Sequence, residues 1–198
     1  MKRICIYCGS KTGDHPAYRE AAEELGRQIV ERKMELVFGA GSIGLMGVVA
    51  DTVLNAGGTL IAGGTVIGVI PKFLSGREVM HQSMSETHIV ESMHERKALM
   101  EEMSDVFVAM PGGMGTFEEL FEILTWSQLG LHRKNVGILN VRGYFDPLLQ
   151  QIDHAIAEGF VKDDNRDLFV VSDDPKELLD MLEQHELPEV KQWKSDDQ

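Results

Sequence analysis

The chain has 198 residues, 43% of them apolar, with 19 Lys+Arg against 32 Asp+Glu and two cysteines, proportions that suit one globular domain of ordinary core size. A net charge of −13 repels phosphate backbones and anionic headgroups, which argues against nucleic-acid and membrane-surface binding but leaves small anions free to occupy local pockets. The longest uncharged stretch, between Asp51 and Lys72, carries five glycines, three threonines and a closing Pro71 and cannot be a spanning helix. The apolar run after the basic start MKRICIYCGS stops too soon for a secretion signal, so a cytoplasmic location is expected.

Short apolar runs alternate with stretches of helical period along nearly the whole chain, the pattern of repeated βα units on a parallel sheet. Strands are predicted at Arg3–Cys8, Glu35–Phe38, Val66–Ile70, His88–Val90, Val106–Ala109, Val136–Asn140 and Leu168–Val171. Helices are predicted between them at Pro16–Arg32, Leu45–Ala56, His94–Met103, Phe117–Leu129, Pro147–Glu158 and Pro175–His185, several opening on Asp, Ser or Thr caps. Most of the strands are too continuously apolar to be half exposed. The expected fold class is therefore α/β: a Rossmann-like doubly wound parallel sheet with helices on both faces, forming a single domain over 1–186. Residues 187–198 lack periodicity, and residues 172–198 hold nine acids against three lysines, so a solvated acidic tail is expected. The near-duplicate AGGTLI–AGGTVI at 56–67 is too short for a structural repeat and reads as an extended connection or a lengthened strand entry.

Cys5 and Cys8 form a C-x-x-C, which in a reducing compartment invites a redox or metal reading. Redox pairs of that type sit where a helix begins, whereas these lie on a strand, where residues three apart point to opposite faces. A pair of core thiols is the better reading. With no second C-x-x-C and no compact cluster among seven scattered histidines, no metal site is expected.

After the second strand, GAGSIG places Gly39, Gly41 and Gly44 as G-x-G-x-x-G at the start of a helix, where backbone N–H groups can hold a phosphate. The acid that would bind a dinucleotide ribose some 20 residues on is missing, which counts against NAD. A purely structural turn is the alternative. After the fifth strand, PGGMGTFEEL at 111–120 opens another helix and is the stronger cradle. In an open α/β sheet these turns, with the Cys8-Gly9-Ser10 turn after the first strand, converge on one crevice, so Ser10 and Gly41 are candidate ligand contacts. No G-x-x-x-x-G-K-[ST] occurs, which makes a monophosphate the expected anion rather than a triphosphate with magnesium. Thr116 and Glu119 stand three apart, the spacing of a capping box; a carboxylate beside a phosphate cradle is also where water activation would be placed. Arg96 and Lys97 fall in the first turns of a helix whose positive end disfavours cations. They are either a solvated pair balanced by Glu95, Glu101 and Glu102, or groups facing an anion. Phe121, Leu124 and Trp126 read as core rather than as a base-stacking platform.

These motifs together resemble the LONELY GUY (LOG) family of cytokinin-activating phosphoribohydrolases, long mislabelled as lysine decarboxylases. The family's P-G-G-x-G-T-x-x-E stands at Pro111–Glu119 and its M-H-x-R-K at Met93–Lys97, joined by CGS at 8–10, GLMG at 44–47, GVIP at 68–71 and the TW-Q-LG-H run at 125–132. The resemblance runs from about residue 3 to residue 182. It implies a Rossmann-like homodimer that hydrolyses the N-glycosidic bond of a nucleoside 5′-monophosphate, typically an N6-modified AMP, with no cofactor or metal. By position, the catalytic pair is Arg96 and Glu119, with Gly112, Gly113, Gly115 and Thr116 on the phosphate. Glu78, Lys97, Glu118 and Thr125 match positions lining the nucleotide site. Two departures stand out: the family's usual triple glycine after the second strand is GAG here, and the duplicated segment lengthens the approach to Val66. Rival readings are a protein that binds AMP without hydrolysing it, and a nicotinamide-dependent oxidoreductase built on GAGSIG. A decarboxylase reading lacks a candidate Schiff-base lysine.

Overall fold

The structure is a computed structural model and describes residues 1–56, 64–76 and 80–189. Seven strands form a single sheet: β1 (Arg3–Tyr7), β2 (Glu35–Phe38), β3 (Val66–Pro71), β4 (Glu86–Val90), β5 (Val106–Ala109), β6 (Asn135–Leu139) and β7 (Phe169–Ser172). The helices are α1 (Pro16–Glu31), α2 (Gly44–Asn55), the short α3 (Lys72–Ser75), α4 (Met93–Met103), α5 (Met114–Gln128), α6 (Asp146–Ala157) and α7 (Pro175–Gln184). All strand pairs are parallel, in the order β4-β3-β2-β1-β5-β6-β7. The order reverses between β1 and β5, and in such a sheet the loops leaving the carboxyl ends of those two strands flank the ligand crevice.

Side chains alternate across the pleat. Ile4, Ile6, Leu36, Phe38, Val106 and Val108 pack one face against Leu25 and Ile29 of α1, Val49 and Val53 of α2, and Leu178 and Leu182 of α7. Cys5, Tyr7, Val37, Ile67, Phe107 and Ala109 pack the other face against Met100 of α4, Leu120 and Ile123 of α5, and flanking α6 residues. Cys5 and Cys8 fall in the two separate clusters, both buried and both free thiols. Burial pushes the Cys5 thiol up to about 12 and the Cys8 thiol higher still. Neither is a reactive thiolate.

The helix caps are local. Ser92 Oγ accepts from Glu95 N at 3.1 Å, Asp174 Oδ1 accepts from Glu177 N at 2.8 Å, and His15 Nδ1 accepts from Ala17 N at 3.2 Å. Strand β4 begins two residues earlier than its apolar core suggests; it is the exposed edge of the sheet, where Glu86 and Thr87 are tolerated. Helix α3 carries no apolar period and is a finding of the structure alone. Of the duplicated segment, residues 57–63 lie outside the described residues, as do Glu78 and residues 190–198. Leu187 and Pro188 are tied down, their carbonyls accepting from the Arg133 guanidinium at 3.0 Å each. No described helix is long and apolar enough to cross a membrane.

Candidate active site

The turns after β1 and β5 lock together before any ligand is considered. Gly9 N donates to Pro111 O at 3.1 Å. A Cβ on Gly112 would strike the Thr116 hydroxyl and come within 2.8 Å of Gly9 N, while one on Gly9 would lie 3.2 Å from Gly112 Cα. Thr116, 3% exposed, fills the space beneath. It is not the helix cap its spacing with Glu119 suggests: α5 opens at Met114 with Gly113 as N-cap, so Thr116 sits in the first turn and no capping box forms. Gly115, which reads as a turn residue, is helical here because the preceding glycine has already ended the strand.

The first backbone bond of α5 runs from Phe117 N to Gly113 O at 3.1 Å. The N–H groups of Met114, Gly115 and Thr116 precede it and are unpaired among the described residues, with the positive end of the helix behind them. A Cβ on Gly113 or Gly115 would meet nothing within 4 Å. Replacing Gly115 by Ala is expected to leave the fold as stable or up to about 1 kcal/mol more stable in thermal melts, yet to weaken the binding of a phosphate ligand there, measured by calorimetry, because it puts a methyl beside those N–H groups. Gly112→Ala is expected to lose about 1–3 kcal/mol through the collision with Thr116 and Gly9.

The GAGSIG turn differs. Leu45 N and Met46 N, the donors at the start of α2, are taken by Gly9 O at 2.9 and 3.4 Å. Gly44, at φ +65°, backs onto the Ser10–Lys11 peptide, and a Cβ on Gly39 would collide with the Arg96 guanidinium. Gly41 makes a bridge to Met80 and packs on Met46. Gly39, Gly41 and Gly44 all make close packing contacts here, as the structural-turn alternative expects. Ala40 adopts φ +61°, a left-handed conformation that favours glycine.

Arg96 and Glu119 meet. Arg96 Nη1 donates to Glu119 Oε1 at 2.8 Å and Arg96 Nε to Val69 O at 3.2 Å, with each side chain of the ion pair only 11% exposed. Burial raises the Glu119 carboxyl above the usual carboxylate range, against the opposing charge and hydrogen bond of Arg96. Lys97, 6% exposed, donates to Glu118 and, at 2.7 Å, to Glu122. Burial disfavours its ammonium, but the two carboxylates outweigh that and raise it above its ordinary value. The solvated pair balanced by Glu95, Glu101 and Glu102 is thus not what forms: both cations turn inward, and their partners come from α5.

Thr125 lies elsewhere, on the exposed side of α5, its hydroxyl turned back to Phe121 O at 2.6 Å. Phe121 is exposed as well, against expectation, while Leu124 and Trp126 join the core. Ser10, Gly112 and Gly113 line a cleft of about 400 Å³ over the β1/β5 crevice, whose walls also include Lys11, Tyr18, Leu45 and Tyr144. The Tyr144 hydroxyl donates to Gly112 O, and its ring stacks on Phe117 and meets Tyr18 edge-on. Lys11 is adjacent to the CGS motif and was open to notice; Tyr144 arrives from over 30 residues downstream with no local signal. Among the described residues no group of three or more His, Cys, Asp or Glu is placed to hold a metal.

A sequence-family model described as possible lysine decarboxylase matches residues 46–182. A probable cytokinin riboside 5′-monophosphate phosphoribohydrolase of Oryza sativa subsp. japonica is 50% identical over 93% of this chain and 79% of its own. A cytokinin riboside 5′-monophosphate phosphoribohydrolase of Arabidopsis thaliana is 49% identical over 94% and 83%. Among solved structures, the molybdenum cofactor carrier protein of Chlamydomonas reinhardtii superposes with a TM-score of 0.67 at 22% identity, covering 92% of this chain and 96% of its own, a likeness of fold alone. With half of its residues shared across nearly its full length, and with Arg96 of the M-H-x-R-K motif paired to Glu119 of the P-G-G-x-G-T-x-x-E motif, the chain belongs to the LOG family, the group whose sequence model carries the lysine decarboxylase description.

Proposed function

We propose that the protein hydrolyses the N-glycosidic bond of N6-modified adenosine 5′-monophosphates such as cytokinin riboside 5′-monophosphate, releasing the free base and ribose 5-phosphate. The observation that carries this reading is the buried Arg96–Glu119 pair, with Glu119 on the helix whose opening turn offers a phosphate three N–H groups that are unpaired among the described residues. The phosphate on Gly113, Gly115 and Thr116 supplies orientation. Glu119 then faces the ribose C1′ as positive charge develops there, stabilises it, and takes a proton from the attacking water. The water oxygen bonds to C1′, the electron pair of the C1′–N bond leaves with the base, and the proton from water ends on the base. Arg96 holds the Glu119 carboxylate in place and keeps it charged. Lys97, Glu118 and Glu122 brace α4 against α5 below the pair.

The exposed apolar side chains Met114, Phe121, Leu129 and Leu131 along and just beyond α5 support a homodimer, since a second copy would bury them. The exposed Thr125 lies on the same helix. The decarboxylase description gains nothing from Lys97: a Schiff-base lysine needs its ammonium depressed, and here it is raised. Against the nicotinamide reading, two donors at the start of α2, Leu45 N and Met46 N, are already bonded to Gly9 O. The experiment is to incubate the protein with AMP and with isopentenyl-AMP and to resolve base and ribose 5-phosphate chromatographically. Release of both products is expected. Binding of either nucleotide without any release would favour the non-hydrolysing reading.

A further inference from the structure

A phosphate monoester brings close to two negative charges into the crevice, and the cations assigned to the nucleotide are already spent on carboxylates. Arg96 faces Glu119, and Lys97 faces both Glu118 and Glu122, so two positive side chains meet three negative ones. This cluster cannot neutralise an incoming phosphate. The overall charge of −13 makes the deficit worse.

The cleft at the switch point contains what is missing. Lys11 is the only charged side chain among the described residues lining it, beside Gly112 and Gly113 of the cradle. Among the described residues Lys11 forms no ion pair. Its backbone is held from two sides. Gly9, two residues before, is bonded to Pro111 O and Leu45 N, and Gly44 packs directly on the Ser10–Lys11 peptide. A flexible ammonium on a fixed loop, lining the same cleft as Gly112 and Gly113 just ahead of α5, suits a compact dianion.

We propose that Lys11 is the phosphate-binding cation of the site: the 5′-phosphate sits in the switch-point cleft between the Lys11 ammonium and the opening turn of α5. Tyr144, through its hydroxyl on Gly112 O, holds the turn that presents the cradle. The inference rests on the nucleotide reading above and goes beyond it by assigning the countercharge to a residue outside the family motifs.

The test compares wild type with Lys11→Ala and Lys11→Arg. The probes are AMP as substrate, with ribose 5-phosphate and phosphate-free adenosine as inhibitors. Lys11 is exposed, so the fold is expected to tolerate both changes. In Lys11→Ala, the KM for AMP and the inhibition constant of ribose 5-phosphate should both rise about tenfold, the loss of one charge-assisted contact. Turnover at saturation should stay within about twofold and the effect of adenosine should not change; Lys11→Arg should recover most of the loss. If wild type hydrolyses AMP and Lys11→Ala keeps both constants, Lys11 is not the phosphate cation, while the hydrolase reading stands. If wild type binds ribose 5-phosphate without hydrolysing AMP, the same comparison by calorimetry decides the role of Lys11. If wild type neither cleaves AMP nor binds ribose 5-phosphate, the nucleotide reading fails and the role of Lys11 with it.

Discussion

Glu119→Gln is expected to lower the turnover of AMP and isopentenyl-AMP by about 10²-fold or more. The amide is isosteric and retains an oxygen for Arg96 Nη1, so the contact at 2.8 Å has a substitute and the fold should be preserved. What disappears is the negative charge facing C1′ and the ability to take a proton from water. Because the side chain is only 11% exposed, solvent cannot supply that charge in its place. Product release measured by chromatography, with circular dichroism of the same sample, separates a chemical from a structural effect. Near-normal turnover in a folded Glu119→Gln protein would remove Glu119 from the mechanism.

Arg96 controls the protonation of that carboxylate. Burial raises the Glu119 pKa, and the Arg96 charge and hydrogen bond oppose the rise. A group acting as a base must be ionised, so activity falls as pH drops through its pKa. Removing Arg96 takes away the main opposition to burial and leaves only the weaker pull of Lys97, and the acid limb of kcat/KM is expected to move to higher pH. Turnover at neutral pH should fall by about 10²-fold or more, since the carboxylate is then partly protonated and poorly oriented. Arg96→Ala also breaks a buried pair, at a stability cost of roughly 3 kcal/mol. Arg96→Lys keeps a charge and should shift the limb less. A pH profile whose acid limb does not move in either variant would show that Arg96 does not set the charge on Glu119.

The fold was legible in the sequence wherever the determining interactions are local or periodic. Glu35–Phe38 and Val106–Ala109 match their predicted bounds because central parallel strands, buried on both faces, are continuous apolar runs. Ser92 and Asp174 cap the helices that follow them because a cap needs only its next three residues. Ambiguity arose where one residue had two local meanings. Thr116 and Glu119 have capping-box spacing, but the helix begins earlier, at Met114. The glycines of GAGSIG suit a phosphate cradle as well as close packing, and the approach of Gly9 O and the Arg96 side chain to this turn has no signal along the chain. Phe121 has the spacing of a core residue yet remains exposed, because helical period locates a face and not what covers it.

Length and alternation determined a doubly wound α/β domain, which follows from the local order of apolar residues, caps and glycines; the two motifs carried the resemblance to the LOG family and the expectation of an anion cradle after the fifth strand. Tertiary structure decided which charges meet. The sheet places α4 beside α5, so Arg96 and Glu119, 23 residues apart, form a buried pair, and Lys97 is matched by two carboxylates instead of being solvated. It also placed Tyr144 against Gly112 and left Lys11 in the cleft with no carboxylate paired to it among the described residues. Ion pairing depends on distances of a few ångströms between distant segments, and no spacing along the chain encodes them.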